Sequence, residues 1–204
     1  AASQWGPPAS GAVSGQATVR VLQQGWTFIN ILFTMESATA AGIEIVRNAG
    51  AGDLERDASH ASIIGCRFAG AGIGIRSGVA GSFTEIAFNV LVDGCTFNGN
   101  TTAMSGISGN GWQIQNSKFF GNTDNIIMAL QNSFIVGNYI GPFTAAANSG
   151  GIDLAGGTAG NVVTLNYLSG TYSNAGGYVA AGAGDEWAGN MNVITGGWTA
   201  ADPA

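Results

Sequence analysis

Seven times along the chain an apolar residue stands two places after an amide, thiol or hydroxyl residue, and this recurrence restricts the possible folds more than any other feature. The apolar anchors are Leu32, Phe68, Phe97, Phe119, Ile140, Leu168 and Ile194. Two places before them stand Asn30, Cys66, Cys95, Ser117, Asn138, Asn166 and Asn192, and five places before the middle five stand Ile63, Val92, Ile114, Ile135 and Val163. The anchors are separated by between 21 residues (Phe119 to Ile140) and 36 residues (Leu32 to Phe68). Fixed columns with an uneven period are what stacked repeats carrying loops of unequal length produce.

A second pattern follows most anchors: a small residue or Asn, then apolar residues at alternate places. Copies are Gly42-Ile43-Glu44-Ile45, Gly72-Ile73-Gly74-Ile75, Asn125-Ile126-Ile127-Met128, Gly151-Ile152-Asp153-Leu154 and Gly177-Tyr178-Val179-Ala180. Alternation of period two predicts strands, and no helical stripe persists beyond about three turns. Between the two patterns lie Gly70, Gly99-Asn100, Gly121-Asn122 and Gly170, residue types that tolerate the positive φ of a tight corner. Glycine makes up 34 of 204 residues against 46% hydrophobic residues, so the chain is glycine-rich for its corners and still apolar enough for a core. The expected architecture is all-β: a single-stranded parallel β-helix of about seven rungs, about 4.8 Å apart, with the anchors in single file inside.

Three units carry a family resemblance: Ser62-Ile63-Ile64-Gly65-Cys66-Arg67-Phe68, Val90-Leu91-Val92-Asp93-Gly94-Cys95-Thr96-Phe97 and Ser133-Phe134-Ile135-Val136-Gly137-Asn138-Tyr139-Ile140. The chain resembles right-handed parallel β-helix proteins of the pectate-lyase-like type, which include many bacteriophage tailspikes and other virion proteins. The resemblance spans roughly residues 26–197, leaving 1–25 as an N-terminal cap or attachment segment and 198–204 as a C-terminal cap or tail. It implies a right-handed coil and, as in many phage spikes, a homotrimer located in a virion assembled in the host cytoplasm. Asn122-Thr123-Asp124 looks like one motif of polygalacturonases, which share this fold. The companion motifs of that family are absent, and the tripeptide reads as a corner.

Charge narrows the partners. Twelve acidic and six basic residues give a net charge of −6, and the basic residues do not cluster, which argues against a nucleic-acid groove. No stretch reaches 18 consecutive apolar residues, so a membrane-spanning helix is not expected. Neither a cofactor nor a metal is expected from the motifs.

Cys66 and Cys95 fall in one column on successive rungs, within disulfide reach at that spacing. A reduced, core-filling pair is favoured for a protein folded in a reducing cytoplasm. The Asn column (Asn30, Asn138, Asn166 and Asn192) reads as a ladder of stacked amides that bond one another and the corner backbone.

Hydrolysis of glycosides needs two carboxyl groups about 5 to 9.5 Å apart. The outward column read before the corner is Phe28, Ile64, Asp93, Gln115, Val136, Thr164 and Asn190, with one acid. A second outward column is Glu44, Gly74, Met104, Ile127, Asp153 and Val179, with its two acids four rungs apart. The acidic candidates are therefore Asp93 and Asp153, plus Asp53, Glu55 and Asp57 in a polar insertion that also reads as a solvated loop. Met104, Ile127 and Val179 form an apolar outward stripe of the kind that marks an interface, with Phe134, Val162 and Trp26 near another edge. The expected function is that of a non-enzymatic homotrimeric surface spike or head-decoration protein of a virion, contacting its own copies and other virion proteins. The alternatives are a tailspike-type polysaccharide depolymerase acting on cell-surface glycan, and a secreted or cell-surface bacterial adhesin.

Overall fold

The computed structural model describes residues 3–5, 17–45, 58–78, 87–141, 151–154, 156–157, 159–169, 178–179, 184–192 and 197–199. They wind into a right-handed parallel β-helix of about seven rungs with three sheets as walls. Among the described residues there is no helix. In chain order, each coil passes through wall 1, wall 2 and wall 3. Wall 1 contains Ala17–Val21, Ala41–Ile45, Ile73–Ser77, Thr102–Asn110, Asp124–Gln131, Ile152–Asp153 and Tyr178–Val179, with Ala87–Phe88 pairing alongside. Wall 2 runs Thr27–Ile29, Ser62–Ile64, Leu91–Asp93, Gln113–Gln115, Phe134–Val136, Val162–Thr164 and Glu186–Ala188. Wall 3 contains Ile31–Met35, Arg67–Gly70, Thr96–Asn98, Lys118–Phe120, Tyr139–Ile140, Tyr167–Leu168 and Asn190–Asn192. Ser3–Trp5 adds a parallel strand at one end of wall 3, and Gly197–Thr199 folds back antiparallel on Asn190–Asn192 at the other.

The corner between walls 2 and 3 is made by one residue per coil in the left-handed region. These are Asn30, Gly65, Gly94, Asn116, Gly137, Leu165 and Gly189, with φ between 52° and 66°. Leu165 is the one branched residue of that column, at φ 57° and 62% exposed. A bulky residue held there costs about 1–2 kcal/mol, which Asn tolerates better, and exposure leaves little packing to lose. Leu165→Asn therefore raises stability by about 1 kcal/mol, read as a higher urea midpoint at unchanged slope. An unchanged or lower midpoint would mean that the leucine side chain offsets its backbone strain.

Inside the coil, Phe33, Phe68, Phe97, Phe119, Ile140 and Leu168 stand in register and are fully buried. The four phenyl rings stack nearly parallel, with centroids 5.0, 4.8 and 4.7 Å apart. Wall 2 faces them with Ile63, Val92, Ile114, Ile135 and Val163, all buried. The rings determine where glycine is required in wall 1. A Cβ on Gly42 would lie 2.9 Å from the Phe68 ring, and one on Gly74 would lie 2.7 Å from the Phe97 ring and 2.5 Å from the Ala103 carbonyl oxygen.

The file of anchors corrects the sequence reading at both ends. On the first rung the core residue is Phe33, because Leu32 pairs with Arg67 and turns outward. On the last, Asn192 and not Ile194 stands opposite Leu168, and Ile194 lies outside the described residues. A terminal rung has a full repeat on one side only and a lone strand on the other, so the sequence pattern holds its register less firmly there.

Candidate functional site

The corner between walls 2 and 3 carries a continuous amide ladder. The backbone N–H of Ser117 donates to Asn138 Oδ1, that of Asn138 to Asn166 Oδ1 and that of Asn166 to Asn190 Oδ1, each at 3.0 Å. The side-chain amides run on as well: Asn138 Nδ2 donates to Asn166 Oδ1 at 2.9 Å and Asn166 Nδ2 to Asn190 Oδ1 at 3.0 Å. Asn190 thus takes the place expected of Asn192, and Asn30 is the positive-φ corner residue just before the column. Two similar runs occupy the other corners, through Ser133, Asn161 and Asp185, and through Asn100 and Asn122. Asn122, first residue of the polygalacturonase-like tripeptide, is therefore a buried corner residue. These amides are committed to the backbone and hold the coil together.

Cys66 and Cys95 continue the same column as free, buried thiols. Cys95 Sγ donates to the Ile63 carbonyl oxygen at 3.3 Å. The Cys95 thiol, hydrogen-bonding to Cys66, lowers that residue's pKa to about 7, and the same contact together with burial pushes Cys95 well above the usual thiol range. Among the described residues no cluster of three His, Cys, Asp or Glu side chains is placed to hold a metal.

The acids are dispersed. In register beside Asp93 stand Ile64 and Gln115, and its carboxylate accepts from Asn116 Nδ2 at 3.0 Å. Beside Asp153 stand Ile127 and Val179. Asp53, Glu55 and Asp57 lie outside the described residues. Glu44 is fully buried although it starts on an outward column. Its carboxylate bridges Arg20 Nε at 2.5 Å and Arg76 Nη2 at 2.8 Å, one arginine from each neighbouring rung. Burial of that charge is offset by pairing on both sides, so Glu44 serves as a clamp between rungs.

Two outward columns read from the sequence require correction. In wall 1 the register is Arg20, Glu44, Arg76, Ser105, Ile127, Asp153 and Val179. Met104 instead aligns with Ile75 and Ile126 and is fully buried, so it belongs to the core and not to an outward stripe. This rung begins Thr102-Ala103-Met104-Ser105, without the small residue followed by alternate apolar residues that marks the other copies, so the pattern does not fix the face of Met104. Ile127 is half-buried on the outward column, and the side chain of Val179 lies outside what is described. In wall 2 the column runs Ile29, Ile64, Asp93, Gln115, Val136, Thr164 and Ala188; Phe28 turns inward.

The outward face of wall 2 carries exposed apolar side chains. Its other column is Thr27, Ser62, Leu91, Gln113, Phe134, Val162 and Glu186. Phe134 is 49% exposed and Ile29 is 55% exposed, with exposed Trp26 just before the first strand. Wall 3 adds a column that the sequence reading missed: Leu32, Arg67, Thr96, Lys118, Tyr139, Tyr167 and Met191. Tyr139 and Tyr167 stack at 5.0 Å. Arg67 and Lys118 make no ion pair among the described residues. The signal was present, since Arg67, Lys118, Tyr139 and Tyr167 each stand immediately before an anchor.

Comparison with family models, curated proteins and solved structures gives no match.

Proposed function

We propose that this chain is a non-enzymatic structural rod, the shaft of a homotrimeric surface spike or head-decoration protein of a virion. The observation that carries the reading is the exposed apolar face of wall 2, where Ile29, Phe134 and Trp26 stand on a rod whose interior is already filled by its own side chains. Surfaces of that kind serve contacts between proteins. The placement of the acids supports a structural role, because the in-register neighbours of Asp93 and Asp153 are not carboxylates while glycoside hydrolysis needs a close pair. The partners are further copies of the chain and other virion proteins, and the virion location follows from the resemblance of the Cys66, Cys95 and Asn138 units to phage β-helices.

Native mass spectrometry at micromolar concentration tests the assembly. The expected species contains three chains of 20.5 kDa. A monomer would overturn the reading, and antibody labelling of intact particles that leaves their surface bare would overturn the location.

A further inference from the structure

We propose that copies of the chain join by laying wall 2 of one rod against wall 3 of the next, as a closed three-membered ring of parallel rods. The inference rests on the homotrimer proposed above and adds which faces meet.

The two faces complement each other rung by rung. In a ring of parallel rods, symmetry places equal rungs at equal heights. On the first rung, Ile29 of wall 2 then meets Leu32 of wall 3. On the fifth, exposed Phe134 meets exposed Tyr139, and on the sixth, half-buried Val162 meets half-buried Tyr167, so apolar groups face a tyrosine stack. Charge follows the same order. Asp93, on the third rung, stands one rung from Arg67 and one from Lys118, about 4.8 Å each way along the axis. Wall 2 carries the acids Asp93 and Glu186 and no base, whereas this column of wall 3 carries Arg67 and Lys118 and no acid.

Pairing like faces lacks this match. Wall 2 against wall 2 in parallel rods sets Asp93 opposite Asp93, and wall 3 against wall 3 sets Lys118 opposite Lys118, both repulsive. Walls 2 and 3 also meet at a corner of one residue per coil, so each rod offers both faces on either side of a single edge. A contact between unlike faces closes into a ring when the rotation allows, and here that edge is directed at the axis. Size points the same way. Seven strands of three residues cover roughly 29 Å by 10 Å, on the order of 300 Å². A ring uses both faces of every rod, so each buries about 600 Å² of face, twice what a single face-to-face pair would bury.

The test is cross-linking of the full chain with Phe134→Cys and Tyr139→Cys, singly and together. Facing sheets lie about 10 Å apart, beyond disulfide reach, so a short bismaleimide is the probe. The native Cys66 and Cys95 are buried, and the unsubstituted chain serves as control. Covalent dimers and trimers from the double variant, and from neither single variant, are the expected result. Cross-linking by either single variant would show like faces meeting and overturn the pairing. A trimer in native mass spectrometry that no variant cross-links would overturn the pairing while leaving the homotrimer intact, and a monomer would overturn both. A charge exchange gives a second readout independent of cysteine. Asp93→Lys weakens trimer formation at least 10-fold, and Asp93→Lys with Arg67→Glu and Lys118→Glu restores it; failure of restoration with all variants folded would overturn the charge match.

Discussion

Replacing Asn138 by leucine lowers the stability of the rod by about 3 kcal/mol or more. Asn138 is 1% exposed and its amide serves three partners: Nδ2 donates to the Ile114 carbonyl and to Asn166 Oδ1, both at 2.9 Å, and Oδ1 accepts from the Ser117 N–H at 3.0 Å. Leucine is close in size but offers none of these bonds. It leaves a buried N–H and a buried carbonyl without those partners, each costing about 1–3 kcal/mol, more than the added apolar contact returns. Urea unfolding followed by circular dichroism checks this: the midpoint falls while the slope stays constant. Asn166→Leu, which loses the equivalent bonds one rung on and the one from the Asn138 side-chain amide, should cost at least a similar amount. An unchanged midpoint in both would mean that the corner amides do not hold the rungs together.

What the sequence showed of the fold follows from how many neighbours each residue has. Phe68, Phe97, Phe119, Ile140 and Leu168 were legible because each lies between rungs that repeat the same two columns. The ends were not. Asn30 looked like a ladder amide because Asn suits both a buried ladder and a positive-φ corner, and its φ of 55° assigns it to the corner. The Arg20–Glu44–Arg76 clamp was hidden because Arg20 stands ahead of the first repeated column, where no pattern sets it in register with Glu44. In wall 1, Met104 lies in register with Ile75 and Ile126 and so in the core, not at the expected interface, on a rung that lacks the small-apolar-x-apolar signature of the others. The candidate surface was half legible: Phe134 and Val162 were seen at one edge. The facing residues Arg67, Lys118, Tyr139 and Tyr167 were passed over because their neighbours, the anchors, carried the stronger pattern.

Phe97→Ala is expected to cost about 4–5 kcal/mol, toward the upper end for loss of a buried phenylalanine. Its ring is fully buried between Phe68 at 4.8 Å and Phe119 at 4.7 Å, with interplanar angles of 7° and 3°. Removing it loses the transfer free energy of the ring and both stacking contacts, each of the latter worth about 0.5–1.5 kcal/mol. The cavity cannot readily close, because the rungs above and below are held at their spacing by parallel strand pairs running through all three walls. Gly74, beside the ring in wall 1, has no side chain to move into the space. Phe97→Leu keeps more of the volume and should cost about 1–2 kcal/mol. Guanidinium unfolding monitored at two wavelengths distinguishes a further consequence. In a stack where each rung contacts mainly its neighbours, a weak rung in the middle lets the two halves unfold separately, so the alanine variant gives a broader or two-step transition where the unsubstituted rod gives one. A loss below 1 kcal/mol with a single sharp transition would mean that the phenylalanine file is not the core of the coil.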